Sequence, residues 1–162
     1  MSSRSSRSTL FTALLALCGG GLLAQMPNPY GVPISLEQAR KPAAAARAEA
    51  AKNNWTMAIA IVDTSGNLVY YEKMDNTQIG SATVAIDKAR SAVLYKRPTK
   101  ALQDALAAGG AGLRILRFHD AMPVEGGQPL LLDGKIIGAI GVSGDSSDHD
   151  NQCATAGVAV LK

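Results

Sequence analysis

The chain has 162 residues, the length of one domain, with 16 lysines and arginines against 13 acidic residues for a net charge of +3. Without Arg4 and Arg7 the balance is 14 against 13, which leaves no electrostatic footprint for nucleic acid. Aromatic residues make up 4%, which argues against an aromatic-lined binding surface, and two cysteines at most can form one disulfide.

Residues 1–24 have the layout of a secretory signal peptide. Arg4 and Arg7 supply a basic start, Leu10–Leu17 an apolar run, and Gly21-Leu22-Leu23-Ala24 a small-residue end, which predicts cleavage after Ala24. The run is shorter than the ~20 residues of a bilayer span, so no stable membrane span is expected. A lipoprotein signal ending at Cys18 is the rival reading, but Leu17 is bulky where such signals carry a small residue. The expected location is therefore exported, periplasmic or secreted. Cleavage removes Cys18 and leaves Cys153 alone, so the mature protein is held by packing, a ligand or self-assembly rather than by a disulfide.

Pro27, Pro29, Gly31 and Pro33 predict an extended arm over residues 25–34, ahead of one domain over residues 35–162. Ser35 and Gln38 form a capping-box pattern that opens a helix running to about Asn53, and Pro42 is expected to kink it or delay its start. Met57–Val62 and Leu68–Met74 are strands joined by the turn cluster Asp63–Asn67. Ser81–Lys96 has helical period, with Ala82, Ala85, Ile86, Ala89 and Val93 on one face. Arg97-Pro98 ends it, and Thr99 is expected to cap a second helix through about Ala108.

Gly110–Gln128 reads as a long, partly ordered loop. Leu130–Leu132 and Ile136–Val142 flank Asp133-Gly134-Lys135 and predict a second hairpin. Gly138 and Gly141 within the last strand suggest close approach of backbone or ligand. An Ala/Gly-rich helix closes the chain. The order α-ββ-α-α-ββ-α brings strands as hairpins, which predicts an α+β fold: an antiparallel sheet flanked by helices, not a Rossmann crossover.

Several blocks in order resemble one family. They are Ala60-Ile61-Val62-Asp63 with Gly66-Asn67-Leu68-Val69, Met74-Asp75, Ala85–Arg90, Arg97–Leu102, Pro123–Pro129, Gly138–Gly144, and then Asp148 and Asp150. Over residues 35–162 the chain resembles the GlcG/HbpS-like haem-binding family, related to the C-terminal domain of PduO-type proteins. The resemblance implies a profilin-like sheet, homo-oligomers that are often octamers, and haem or tetrapyrrole binding in some members. Some secreted members bind iron on Glu-x-x-Glu pairs, and this chain has none.

Five groups of residues are candidates for chemistry. His149 and Cys153, four apart on the last helix, share a face and are a candidate metal pair. His119-Asp120 lies in a loop, where a histidine is free to reach a haem iron and a carboxylate can orient it. Gly144 stands in a glycine loop before a helix, although Asp145, Asp148 and Asp150 occupy its positive end and favour capping or cation binding over phosphate. Glu125 with Gly126 and Gly127 offers a carboxylate beside close-approach backbone, as acid, base or ligand. Lys88 or Arg90 would meet haem propionates or a substrate carboxylate. Each group also has a plain structural reading as cap, turn, core or solvated residue.

The leading expectation is an exported homo-oligomer that sequesters haem, with His119 or His149 on the iron. One alternative is a catabolic enzyme using Glu125 and a histidine for proton transfer. The other is an oligomer with no small ligand.

Overall fold

The computed structural model describes residues 28–161, so the expected signal peptide over residues 1–24 and its expected cleavage after Ala24 lie outside the described residues. The first helix, α1 (Leu36–Lys52), opens on the capping box: the Gln38 amide donates to Ser35 Oγ at 3.2 Å, and the Ser35 amide to Gln38 Oε1 at 3.0 Å. Pro42 does not break it. The helix is continuous across Pro42, which is buried within the stripe Ala39, Ala43, Ala46 and Ala50. Packing of small residues on both sides of the proline holds the turn that its missing amide weakens.

Strands β1 (Ala58–Asp63), β2 (Leu68–Lys73), β3 (Gly127–Leu132) and β4 (Lys135–Ser143) form one antiparallel sheet in the order β2-β1-β4-β3. Both predicted hairpins are present, and the second turns on Asp133 and Gly134, each with positive φ, the geometry Asp-Gly favours. Helix α2 (Ser81–Leu94) covers one face, against Ala58, Ala60, Val62 and Ala139. Helices α1 and α4 (Ser147–Val158) cover the other, against Ile59, Ile61, Ile140 and Val142. The observed order is the predicted α-ββ-α-α-ββ-α, with helix α3 (Thr99–Ala107) following α2.

Three details depart from expectation. First, residues 110–117 are not loop but a 3-10 helix, Gly110–Arg117, that folds back onto α3. The chain turns there through Gly109 and Gly110, both at positive φ, which glycine adopts without strain. Second, the residue capping α3 is Pro98, and the Thr99 hydroxyl instead accepts the Gly127 amide at 2.9 Å. Third, the arm is part of the sheet. Tyr30 bridges Ile136 in parallel, the Gly31 amide donates to Ile136 O at 2.8 Å, and the Ile136 amide to Pro29 O at 2.8 Å. The arm thus takes the lane beside β4 that β1 leaves at the Asp63–Gly138 pair.

The close approach suggested by Gly138 and Gly141 is to backbone. A Cβ on Gly141 would overlap the Ala85 carbonyl oxygen and lie 2.5 Å from the Ala89 nitrogen, and one on Gly138 would overlap the Val62 carbonyl. Gly141→Ala is therefore expected to destabilise the protein by about 3 kcal/mol, the upper end for overpacking, as read by urea denaturation.

The β1–β2 turn is organised by Asp63, whose Oδ1 accepts the Ser65 amide at 2.8 Å and the Asn67 amide at 2.9 Å. Partial burial pushes this carboxyl up, but the hydrogen bonds from Asn67, Ser65 and Gly66 together outweigh it and hold it below the usual range. A depressed carboxylate stabilises above its unfolded pKa, here about pH 4, and loses that contribution as pH falls through the folded value. Asp63→Ala is expected to cost about 1–2 kcal/mol at neutral pH. Urea melts at falling pH should show the gap between variant and wild type narrowing in acid.

Candidate functional site

Helix α2 carries an unusual residue on its buried face. Lys88 has no accessible surface, although its neighbours on that face are Ala85, Ala89 and Ala92. Its ammonium reaches Asp150 Oδ2 of α4 at 2.7 Å and donates to Val142 O of β4 at 3.1 Å. Helices α2 and α4 lie on opposite faces of the sheet, so the pair joins the two layers. Room for it comes from Gly126 and Gly127. A Cβ on Gly126 would stand 2.9 Å from Lys88 Nζ and 2.9 Å from Asp150 Cβ, and one on Gly127 would overlap the Lys88 carbonyl. Gly126 also has φ +121°, a conformation that favours glycine.

Burial drives Lys88 down and Asp150 up from their ordinary pKa values, each opposed by the attraction of the other. The remaining Asp150 oxygen accepts the Asp145 amide at 3.2 Å. Lys88, expected to meet an external carboxylate, is thus committed inside the protein. Arg90 faces out, and its Nε donates to Gly66 O at 3.1 Å in the first hairpin turn.

Glu125 sits beside this pair, nearly buried. Its amide donates to Gln103 Oε1 at 2.8 Å, and Lys100 Nζ lies 3.7 Å from its Oε2. Lys100 also bonds Asp104 at 2.9 Å, the first reason its pKa is raised. Neither histidine is among Glu125's partners, so the Glu125–histidine proton-transfer pair is not assembled. Gly144 is closely packed rather than open: a Cβ there would overlap the Thr56 carbonyl oxygen and stand 2.8 Å from Met57 Cα.

His149 and Cys153 share a helix but not a site. The His149 ring stacks on Trp55, centroids 3.9 Å apart and planes at 14°, and its Nδ1 lies 3.1 Å from Asp145 Oδ1. Cys153 is fully buried, and desolvation pushes its thiol up to about 12. A thiol in that environment is not a thiolate ligand at neutral pH. Among the described residues, no three His, Cys, Asp or Glu side chains gather as a metal site.

His119 is different. Its side chain is 94% exposed, and its Nδ1 lies 2.8 Å from Asp120 Oδ2. Its backbone is anchored, because the Tyr95 hydroxyl donates to the His119 carbonyl and the Tyr95 and Phe118 rings stack. It follows the 3-10 helix and its capping residue Phe118, which together present Leu113, Leu116 and Phe118 to solvent beside Arg114 and Arg117. An exposed imidazole with a carboxylate near Nδ1 and Nε2 open, beside apolar surface and guanidinium groups, is a donor set that fits haem.

Sequence reasoning missed Asp150 as the partner of Lys88, read Thr99 only as a helix cap, and gave Lys100, Gln103 and Trp55 no role. One signal was present: Lys88 falls three residues after Ala85 and four before Ala92, a cation on an alanine face that a partner must neutralise.

Residues 34–159 match the family model of the haem degrading protein HbpS-like group. The chain belongs to that family. Protein GlcG of Escherichia coli K12 is 38% identical over 110 residues, covering 68% of this chain and 81% of GlcG. Among solved structures, a double mutant of Streptomyces reticuli HbpS is 31% identical with a TM-score of 0.75, covering 97% of this chain and 99% of that one. A PduOC–haem complex is 27% identical with a TM-score of 0.73, covering 81% and 96%. No helix among the described residues is long and apolar enough to cross a membrane.

The ion pair yields a direct test. Lys88→Met leaves Asp150 buried and alone, and is expected to cost about 3–5 kcal/mol. Adding Asp150→Leu should restore more than half of the loss, because the orphaned charge is then gone. Equilibrium denaturation of the two variants checks both values.

Proposed function

We propose that this protein is an exported binder of haem or a related tetrapyrrole, acting as an oligomer of its own chain. Family membership and the likeness to a PduOC–haem complex support the ligand class. The leader-like residues 1–24 support export. The observation that carries the reading on this chain is His119: exposed, held at its backbone by Tyr95, with Asp120 close to Nδ1 and Nε2 unused among the described residues.

In this reading His119 would offer Nε2 to the iron, with the Asp120 carboxylate close to Nδ1 on the other side of the ring. Leu116 and Phe118 give apolar surface for the macrocycle, and the arginines of the 3-10 region face its acidic groups. Bound haem supplies a redox-active iron, and the chain's part is to hold and shield it. His149 is the second candidate, with its ring already stacked on Trp55. Cys153 and Lys88, both buried, take no part in contacting the ligand.

Titrating the leader-free protein with haemin is expected to give a Soret band whose position shifts, with affinity falling at least about tenfold, in His119→Ala. His149→Ala should leave both nearly unchanged. A band that responds only to His149→Ala would move the ligand to α4. No band at all in the wild-type protein would overturn the reading and favour a ligand-free oligomer.

A further inference from the structure

Helix α3 and the 3-10 helix enclose a small hollow that adjoins His119 and shares Arg114 and Phe118 with the site described above. Gly112 presses directly on α3, since a Cβ there would overlap the Ala105 carbonyl oxygen. Beside that contact lies a cavity of about 240 Å³ with Leu102, Ile115 and Phe118 among its walls and Arg97 and Arg114 lining it. Leu102 and Ile115 are buried, so the interior of the hollow is apolar.

The two arginines make the hollow chemically specific. Among the described residues neither forms an ion pair, although Lys100, Lys88 and Lys52 all do. Arg97 is fixed at one edge, its Nε donating to Tyr95 O at 2.9 Å, which leaves its terminal nitrogens free to bind an anion. Guanidinium matches carboxylate geometry by paired hydrogen bonds, so two of them lining one small hollow favour a carboxylate there. The volume is below the ~300 Å³ at which pockets begin to hold whole drug-sized ligands, so it suits one end of a molecule.

We infer that this cavity between α3 and the 3-10 helix, with Arg97 and Arg114 beside apolar Leu102, Ile115 and Phe118, binds the carboxylate-bearing end of an apolar acid. Resting on the haem reading, the propionate of a tetrapyrrole is the natural occupant, because Phe118 lines the cavity and His119 is the next residue. A free aryl or alkyl carboxylic acid has the same chemistry.

The test uses the leader-free protein and its Arg97→Gln/Arg114→Gln variant, both positions being exposed, with circular dichroism and melting used to check that the variant keeps the wild-type fold. Calorimetry with 3-phenylpropionate should show binding to the wild type that the double variant loses by at least tenfold, and none with 3-phenylpropionamide. Haemin affinity should also drop at least tenfold in the variant with the Soret position unmoved, while haem dimethyl ester, which lacks free propionates, binds both proteins alike. Arginine-dependent 3-phenylpropionate binding without any haemin binding keeps the acid site and removes the haem reading. Haemin that binds both proteins equally, with 3-phenylpropionate binding neither or both, overturns the acid site and leaves the haem reading standing.

Discussion

A lysine and an aspartate with almost no access to water hold the two sides of this protein together. Lys88 starts on α2, Asp150 on α4, and the sheet lies between these helices. Their 2.7 Å contact is possible only because Gly126 and Gly127 lead into β3, where side chains would fill the path. Removing two charges from water is expensive, and the cost is offset only when geometry and added hydrogen bonds are good. Here Val142 O accepts from the lysine, and the Asp145 amide donates to the aspartate. The pair therefore sets the register of three elements at once: the start of α4, the end of β4 and the middle of α2.

The same economy of side chains governs the rest of the core. Alanine stripes on α1 and α2, and Gly138, Gly141 and Gly157, bring backbones to within contact of one another. Beside its buried Ile59, Ile61, Leu130 and Ile140, such a core gains stability from dense backbone contact, so an added methyl group at these glycines meets main chain that cannot move aside. The polar group around Glu125, Lys100, Gln103 and Thr99 fits this frame. It satisfies the backbone where α3 meets β3, as the bond from the Gly127 amide to Thr99 shows.

Elements with strong local signals were legible in the sequence. The capping box before α1, the Asp-Gly turn and the hairpin order all depend on neighbours within a few residues, and all three are observed. What was not legible depends on long-range geometry. Thr99 looked like a helix cap because its competing partner, Gly127, lies 28 residues away. Lys88 looked available to a ligand because Asp150 is 62 residues on. Gly110–Arg117 looked irregular because its glycines mask a helical turn that only packing on α3 stabilises. Of the candidate site, the pairing of His119 with Asp120 could be read from adjacency, whereas its exposure and anchoring by Tyr95 could not.

The arm has a further consequence. Because Pro29–Ile34 occupy the lane beside Lys135–Ile137, this arm acts as a short fifth strand, closing an otherwise raw flank in the middle of the sheet. Tyr30 pins it from outside, bonding Val93 O at 2.8 Å with the Lys96 ammonium 4.2 Å over its ring. Trimming of the leading segment thus has an inner limit. A cut before Pro29 leaves the flank sealed, whereas one a few residues later uncovers unsatisfied amides and carbonyls, a template on which other chains can stack.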